Sequence, residues 1–418
     1  MTLFRSLLLA LLPACGLDTF GLPPDSGGSG ASTTHSMATD DGGSPTGEGS
    51  APSGSAGDDS DGTKTDLGAQ PDFGVPCDGG DHGLEHIWIP NSQQGTISKI
   101  QVETLIERGR YWVRPDSAGD PSRTSVNLAG DVVVASRSGG LTKFYAHVED
   151  CQESNGMPGI QTSVDENILP WDQEECRAWY VPLSYFSQRP VAWTQGIYND
   201  AACAFEEQQV WTSGNNLQNG SVDVLIVDGD TGAGVGNALV SGLTADIYGV
   251  YGAAVDKDGN FWGTQRGEGQ LVQVNRLSLE YKVWPTPASS YGMTVDANGY
   301  VWTCAAAVGR FDPMTETWQL VGDAGDAGGC MDDGHGTLYK SDPGGIMAID
   351  TETLSIKQTY KMPQHVHGIS VDPYGQVWGV SQGAEAYRLS PGDETFETFV
   401  GLVGAYPYSH MTRPYPAP

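Results

Sequence analysis

Two histidines one residue apart, His365 and His367, are the side chains of this sequence best suited to acid–base or metal chemistry. Residues i and i+2 of a strand share a face. Both imidazoles would therefore project together, to move a proton or to ligate a metal with a carboxylate from a neighbouring element. These two are the candidate catalytic residues. A second polar group, Asp332, Asp333 and His335, lies in a short Gly-rich stretch. Arg123 and Arg137 flank one predicted strand in a chain where Lys plus Arg total only 21 against 52 Asp plus Glu. A guanidinium beside an acidic channel clamps a carboxylate or sugar acid, or else pairs with acids of its own sheet. Arg123, Arg137, Asp333 and His335 are therefore the candidate ligand-binding residues. The run Asp228-Gly-Asp-Thr-Gly232 reads as an acidic turn, because it lacks the downstream bidentate Glu of a calcium loop. No metal ligand set is specified and no cofactor is predicted; magnesium or calcium would be the ions to consider. The chain has no Cys-x-x-Cys pair, no nucleophile elbow, no dinucleotide fingerprint and no phosphate loop.

A repeated unit positions these residues. Gly252-Ala-Ala-Val-Asp-Lys-Asp-Gly-Asn-Phe-Trp262, Tyr291-Gly-Met-Thr-Val-Asp-Ala-Asn-Gly-Tyr-Val-Trp302 and His367-Gly-Ile-Ser-Val-Asp-Pro-Tyr-Gly-Gln-Val-Trp378 are its clearest copies. Each reads as a short alternating strand, a tight turn with Gly or Asn at the position of positive φ, and a second strand carrying a large ring. Worn copies place the marker at 88, 133, 211 and 339, so the last four spacings are 51, 40, 37 and 39 residues. A period near 40 is that of four-stranded propeller blades. The prediction is an all-β, seven-bladed propeller over 81–418, with Trp262, Trp302 and Trp378 in its core. The long interval between 133 and 211 predicts a cysteine-containing insertion at about 146–205. Tyr408-Ser-His-Met411 resembles Tyr291-Gly-Met-Thr294, which predicts that the C-terminal strand completes the first blade and closes the ring.

The rest of the chain reads as a leader and a tether. Arg5 and the apolar run up to Leu12 precede Leu12-Pro13-Ala14-Cys15-Gly16. This resembles the bacterial lipoprotein signal, which implies cleavage before Cys15, acylation of its thiol, and residence at the outer membrane or cell surface. Residues 16–80 contain 16 glycines, 11 acids and one lysine, a composition too poor in apolar side chains to offset ordering entropy. A disordered tether is predicted there. Six further cysteines, Cys77, Cys151, Cys176, Cys203, Cys304 and Cys330, suit disulfides outside the cytoplasm. Fifteen pairings are open, and the blade register points to Cys304 with Cys330. The net charge of -31 argues against nucleic acid and against adsorption to anionic lipid by charge.

The repeat pattern Gly/His-Ile/Met-x-Val-Asp-x-x-Gly-x-Val-Trp resembles that of streptogramin (virginiamycin B) lyase and of related NHL-like and YVTN-like propellers, over about 86–411. That resemblance implies elimination at an ester of a cyclic depsipeptide, with a magnesium ion, a histidine base and a supporting glutamate. His367 matches the histidine, but the glutamate position is Ser381, and Ala305 in the preceding copy. The sequence thus favours an envelope-anchored binding or scaffold module for a protein, glycan or small ligand, with a metal-dependent lyase or hydrolase as the alternative.

Overall fold

In the computed structural model the described residues are 86–199, 204–322, 328–408 and 410–412. Contacts divide the chain into two units, Met1–Asp72 and Phe73–Pro418, and every described residue belongs to the second. Cys15, the 16–80 stretch, Cys77 and Cys203 lie outside the described residues.

The chain folds as an all-β, seven-bladed propeller. The first sheet holds β1 (His86–Asn91), β2 (Thr96–Gln101) and β3 (Glu107–Trp112). The second holds β4 (Pro121–Val126), β5 (Val132–Ser136), β6 (Leu141–Phe144) and β7 (Arg177–Val181). In the third, β8 (Ser187–Trp193) is followed by a small hairpin of β9 (Ile197–Asn199) and β10 (Ala204–Glu206), then by β11 (Gln209–Asn215), β12 (Val222–Asp228) and β13 (Gly234–Val240). The fourth sheet is β14 (Val250–Val255), β15 (Phe261–Gln265), β16 (Gln270–Val274) and β17 (Tyr281–Pro285). The fifth is β18 (Gly292–Val295), β19 (Val301–Cys304), β20 (Val308–Asp312) and β21 (Thr317–Val321). The sixth is β22 (Cys330–Asp332), β23 (Thr337–Asp342), β24 (Gly345–Asp350) and β25 (Ile356–Lys361). The seventh is β26 (Val366–Val371), β27 (Val377–Ser381), β28 (Glu385–Ser390) and β29 (Thr395–Val400). Strands β4, β8, β14, β18, β22 and β26 pack against one another in turn and line a central channel.

The repeated aspartate explains the local fold. Asp296 Oδ1 accepts the N–H groups of Asn298 and Tyr300, both at 2.9 Å, and its Oδ2 accepts the Trp302 indole N–H at 2.8 Å. Asp256 does the same for Asp258, Asn260 and Trp262, and Asp372 for Tyr374, Gln376 and Trp378. One carboxylate thereby shapes the turn and anchors the ring that the next strand delivers. Gly299 supplies the φ of 84° that this turn needs. Trp262, Trp302 and Trp378 are buried in clusters that join neighbouring sheets. Burying such a ring is worth roughly 1.5–3 kcal/mol or more.

Two expectations change. The predicted closing strand is absent: the first sheet has three strands, no sheet closes on itself, and residues 405–412 form no strand among the described residues. They make an isolated bridge, Asn91 with Ala405, and scattered bonds such as Trp88 N–H to Met411 O at 2.8 Å. Pro407 has no N–H to give a ladder, and His410 has φ 57°, outside the extended region. The seventh and first sheets meet instead by side-chain packing of Trp378, Val380 and Phe399 with Ile87, Ile89 and Ile100. The stretch 146–205 is also not one loop, since β7 and β8 lie within it. A Cys151–Cys176 disulfide joins the two ends of the excursion between β6 and β7, and Cys304–Cys330 joins the fifth sheet to the sixth. Closing loops of 25 and 26 residues stabilises by roughly 3 kcal/mol each in the chain-entropy account.

Candidate functional site

The channel has two mouths of opposite chemistry. At the first, the opening residues of the inner strands converge. Tyr251, Tyr291 and His367 hold the same repeat position, each just before a glycine. The glycines allow close approach: a Cβ on Gly292 would lie 2.5 Å from Gly328 O, and one on Gly368 2.7 Å from the Pro407 ring. Residues 406–408 place two more phenols among these rings. Tyr408 Oη lies 2.7 Å from Tyr251 Oη and is also hydrogen-bonded to Tyr291 Oη. Tyr291 Oη further meets Tyr406 Oη at 2.8 Å and His367 Nε2 at 3.0 Å.

Four guanidinium groups surround this cluster. Arg123 is buried, donates from Nε and Nη2 to Tyr251 O at 3.0 and 2.8 Å, and lies over the Tyr408 ring. Arg189 sits 4.8 Å from the Tyr251 ring centre and Arg266 5.2 Å from that of Tyr248. Arg137 covers Tyr406 at 4.4 Å and pairs with Asp120 at 2.8 Å. That is the only ion pair these four make among the described residues. Several donors here are buried without an acceptor: Arg123 Nη1, Arg137 Nε, Arg189 Nε and the hydroxyls of Ser122, Ser136 and Ser187. Burial, joined by the charge of Arg189 and opposed by the surrounding phenols, lowers the Arg123 pKa. The Tyr251 phenol is pushed up by burial, but Arg189 and Arg123 outweigh that and hold it below the usual range. Burial, then His365 and the arginines, push His367 down to about 3, so it is neutral at neutral pH.

A magnesium ion does not suit this donor set. His367 is engaged by a phenol and faced by guanidinium groups, and its nearest equivalent of the lyase glutamate, Ser381, donates its hydroxyl to Glu385 O. No group of three or more His, Cys, Asp or Glu side chains stands ready for a metal among the described residues. His365 is exposed, with its ring centre 6.2 Å from that of His367.

At the second mouth the ends of the inner strands enclose a cavity of about 220 Å³. Its wall includes Val126, Trp193, Val255, Val295, Met331 and Asp332. Asp333 takes the turn role here, accepting the His335 and Thr337 N–H groups, and His335 is exposed. The predicted ligand residues therefore divide: Arg123 and Arg137 belong to the first mouth, Asp333 and His335 to the rim of the second. Arg189, Arg266 and the phenols were missed. The aromatic-Gly step at 251, 291 and 367 is a visible signal for the Tyr251 and Tyr291 phenols, and none marks the two arginines.

Solved structures share this fold. A functionally unknown protein from Desulfotomaculum acetoxidans matches with a TM-score of 0.54 at 10% identity, over 77% of this chain and 96% of that one. Citrobacter koseri AztD matches with a TM-score of 0.50 at 12% identity, over 78% and 96%. At such identities the likeness establishes the propeller fold alone. No family profile and no curated protein matches the sequence.

Asp332 yields a sharp expectation. Burial, with Asp296 and Asp333 nearby, pushes its carboxyl up to about 7. A folded pKa above the free value near 3.8 means that the ionised group opposes folding, increasingly from pH 4 to pH 7 and fully above that. Asp332→Val should therefore raise stability by roughly 2–4 kcal/mol at pH 8 and by little at pH 4. Urea unfolding at the two pH values checks this, and an equal gain at both contradicts it.

Proposed function

We propose that this protein is an exported, lipid-anchored propeller that binds a carboxylate-bearing ligand, best an acidic glycan, at the arginine–tyrosine mouth of its channel. The observation that carries the reading is the set of buried, unmatched donors there. Leaving such groups without acceptors opposes folding by about 1–3 kcal/mol each, and a ligand oxyanion supplies the acceptors. Guanidinium groups recognise carboxylates through paired, charge-assisted hydrogen bonds. The rings of Tyr248 and Tyr406, half-buried at this mouth, offer the flat faces on which a sugar ring stacks. The setting sharpens the contrast, since the mouth gathers four arginines in a chain of net charge -31. Anchoring rests on the Leu12-Pro13-Ala14-Cys15 pattern and on the acidic, Gly-rich stretch after it.

Isothermal titration with galacturonate oligomers tests the binding. Arg189→Ala and Arg266→Ala should each weaken it about 10- to 100-fold, the equivalent of one charge-assisted contact. Absence of binding to the native protein, or equal binding by all three, contradicts the reading. For the anchor, Cys15→Ser should move the protein from the membrane fraction to the soluble fraction and abolish palmitate labelling; unchanged labelling would exclude lipidation at Cys15.

A further inference from the structure

We propose that the second mouth is a separate binding site, for a small organic ammonium ion with an apolar flank, anchored on the Asp332 carboxylate. The comparison within the chain carries this. In the fourth, fifth and seventh sheets the residue before the turn aspartate is Val255, Val295 or Val371, paired in register with Phe261, Val301 or Val377. In the sixth sheet that position is Asp332, opposite Leu338. Three sister blades thus show that valine satisfies the fold, while this blade holds a carboxyl that opposes folding once ionised.

The cavity beside it is large enough for an organic molecule rather than a single water. Its apolar wall suits a hydrocarbon flank. Asp332 Oδ1 accepts one backbone N–H, that of Gly334 at 2.9 Å, and the group has no ion pair among the described residues. The other titratable groups at this mouth are Asp256, Asp296, Asp333, Lys257 and His410. Asp256 and Asp296 are committed on both oxygens to their turns and indoles, and Lys257 is exposed. An ammonium ion supplies the opposite charge that ionised Asp332 lacks. A neutral ligand leaves the carboxylate unmatched, and an anionic one meets repulsion from the carboxylates of this mouth.

Titration with 2-phenylethylamine and with uncharged 2-phenylethanol tests the site. At pH 8 the native protein should bind the amine at least tenfold more tightly than the alcohol. Asp332→Val and Asp332→Asn should erase that preference while unfolding cooperatively, and lowering the pH to 5.5 should weaken amine binding to the native protein as Asp332 takes up its proton. No preference for the amine in the native protein, or a preference retained by both variants, overturns the proposal.

Discussion

Three of the seven blades depend on one carboxylate accepting one indole N–H. Asp256, Asp296 and Asp372 each close a turn with one oxygen and hold a tryptophan with the other. The bond joins local backbone geometry to packing between sheets, because the same ring fills the space beside the next blade. Burial pushes the Asp296 and Asp372 carboxyls up, against the opposing effect of these donors. Where the aspartate is missing, a backbone carbonyl of the neighbouring sheet serves the ring instead: Trp88 donates to Gly130 O and Trp211 to Gly259 O. The constraint is thus an acceptor for a buried indole, met in two ways.

With the blades held at the turn and the ring, residues facing the channel are free to differ. One mouth collects guanidinium and phenol groups; the other collects carboxyl groups around an apolar cavity. Both arrangements sacrifice stability. A buried guanidinium without a carboxylate and a buried carboxylate without a cation are each unfavourable alone, and no ion pair joins Asp332 to these arginines among the described residues. Local departures from foldability of this kind mark sites of function better than regular features do.

The architecture was legible because the Asp-x-x-Gly turn and the following tryptophan state a strand pair within a dozen residues. Seven copies then imply seven sheets. Closure was not legible, because Tyr408-Ser-His-Met411 matches a strand by residue type while Pro407 and the backbone of His410 prevent it from pairing as one. The strands inside 146–205 were hidden for another reason: Arg177–Val181 and Ser187–Trp193 carry no turn marker. Of the site, Arg123 and Arg137 were visible through the scarcity of arginine. Arg189 lies in a stretch without the clear pattern and Arg266 just past a clear copy of it, and only the fold brings them to the same mouth. Asp332 was seen beside Asp333, but its meaning needed the register that sets it against Val255, Val295 and Val371.

In the proposed function the two ends of the channel select opposite charges. A crystal soaked in bromide tests this most directly, because anomalous scattering locates the ion without reference to any chosen ligand. Bromide is expected within hydrogen-bonding reach of Arg123 or Arg189 and not beside Asp332. A mouth that stays empty of bromide, or an ion lodged against Asp332, would contradict it.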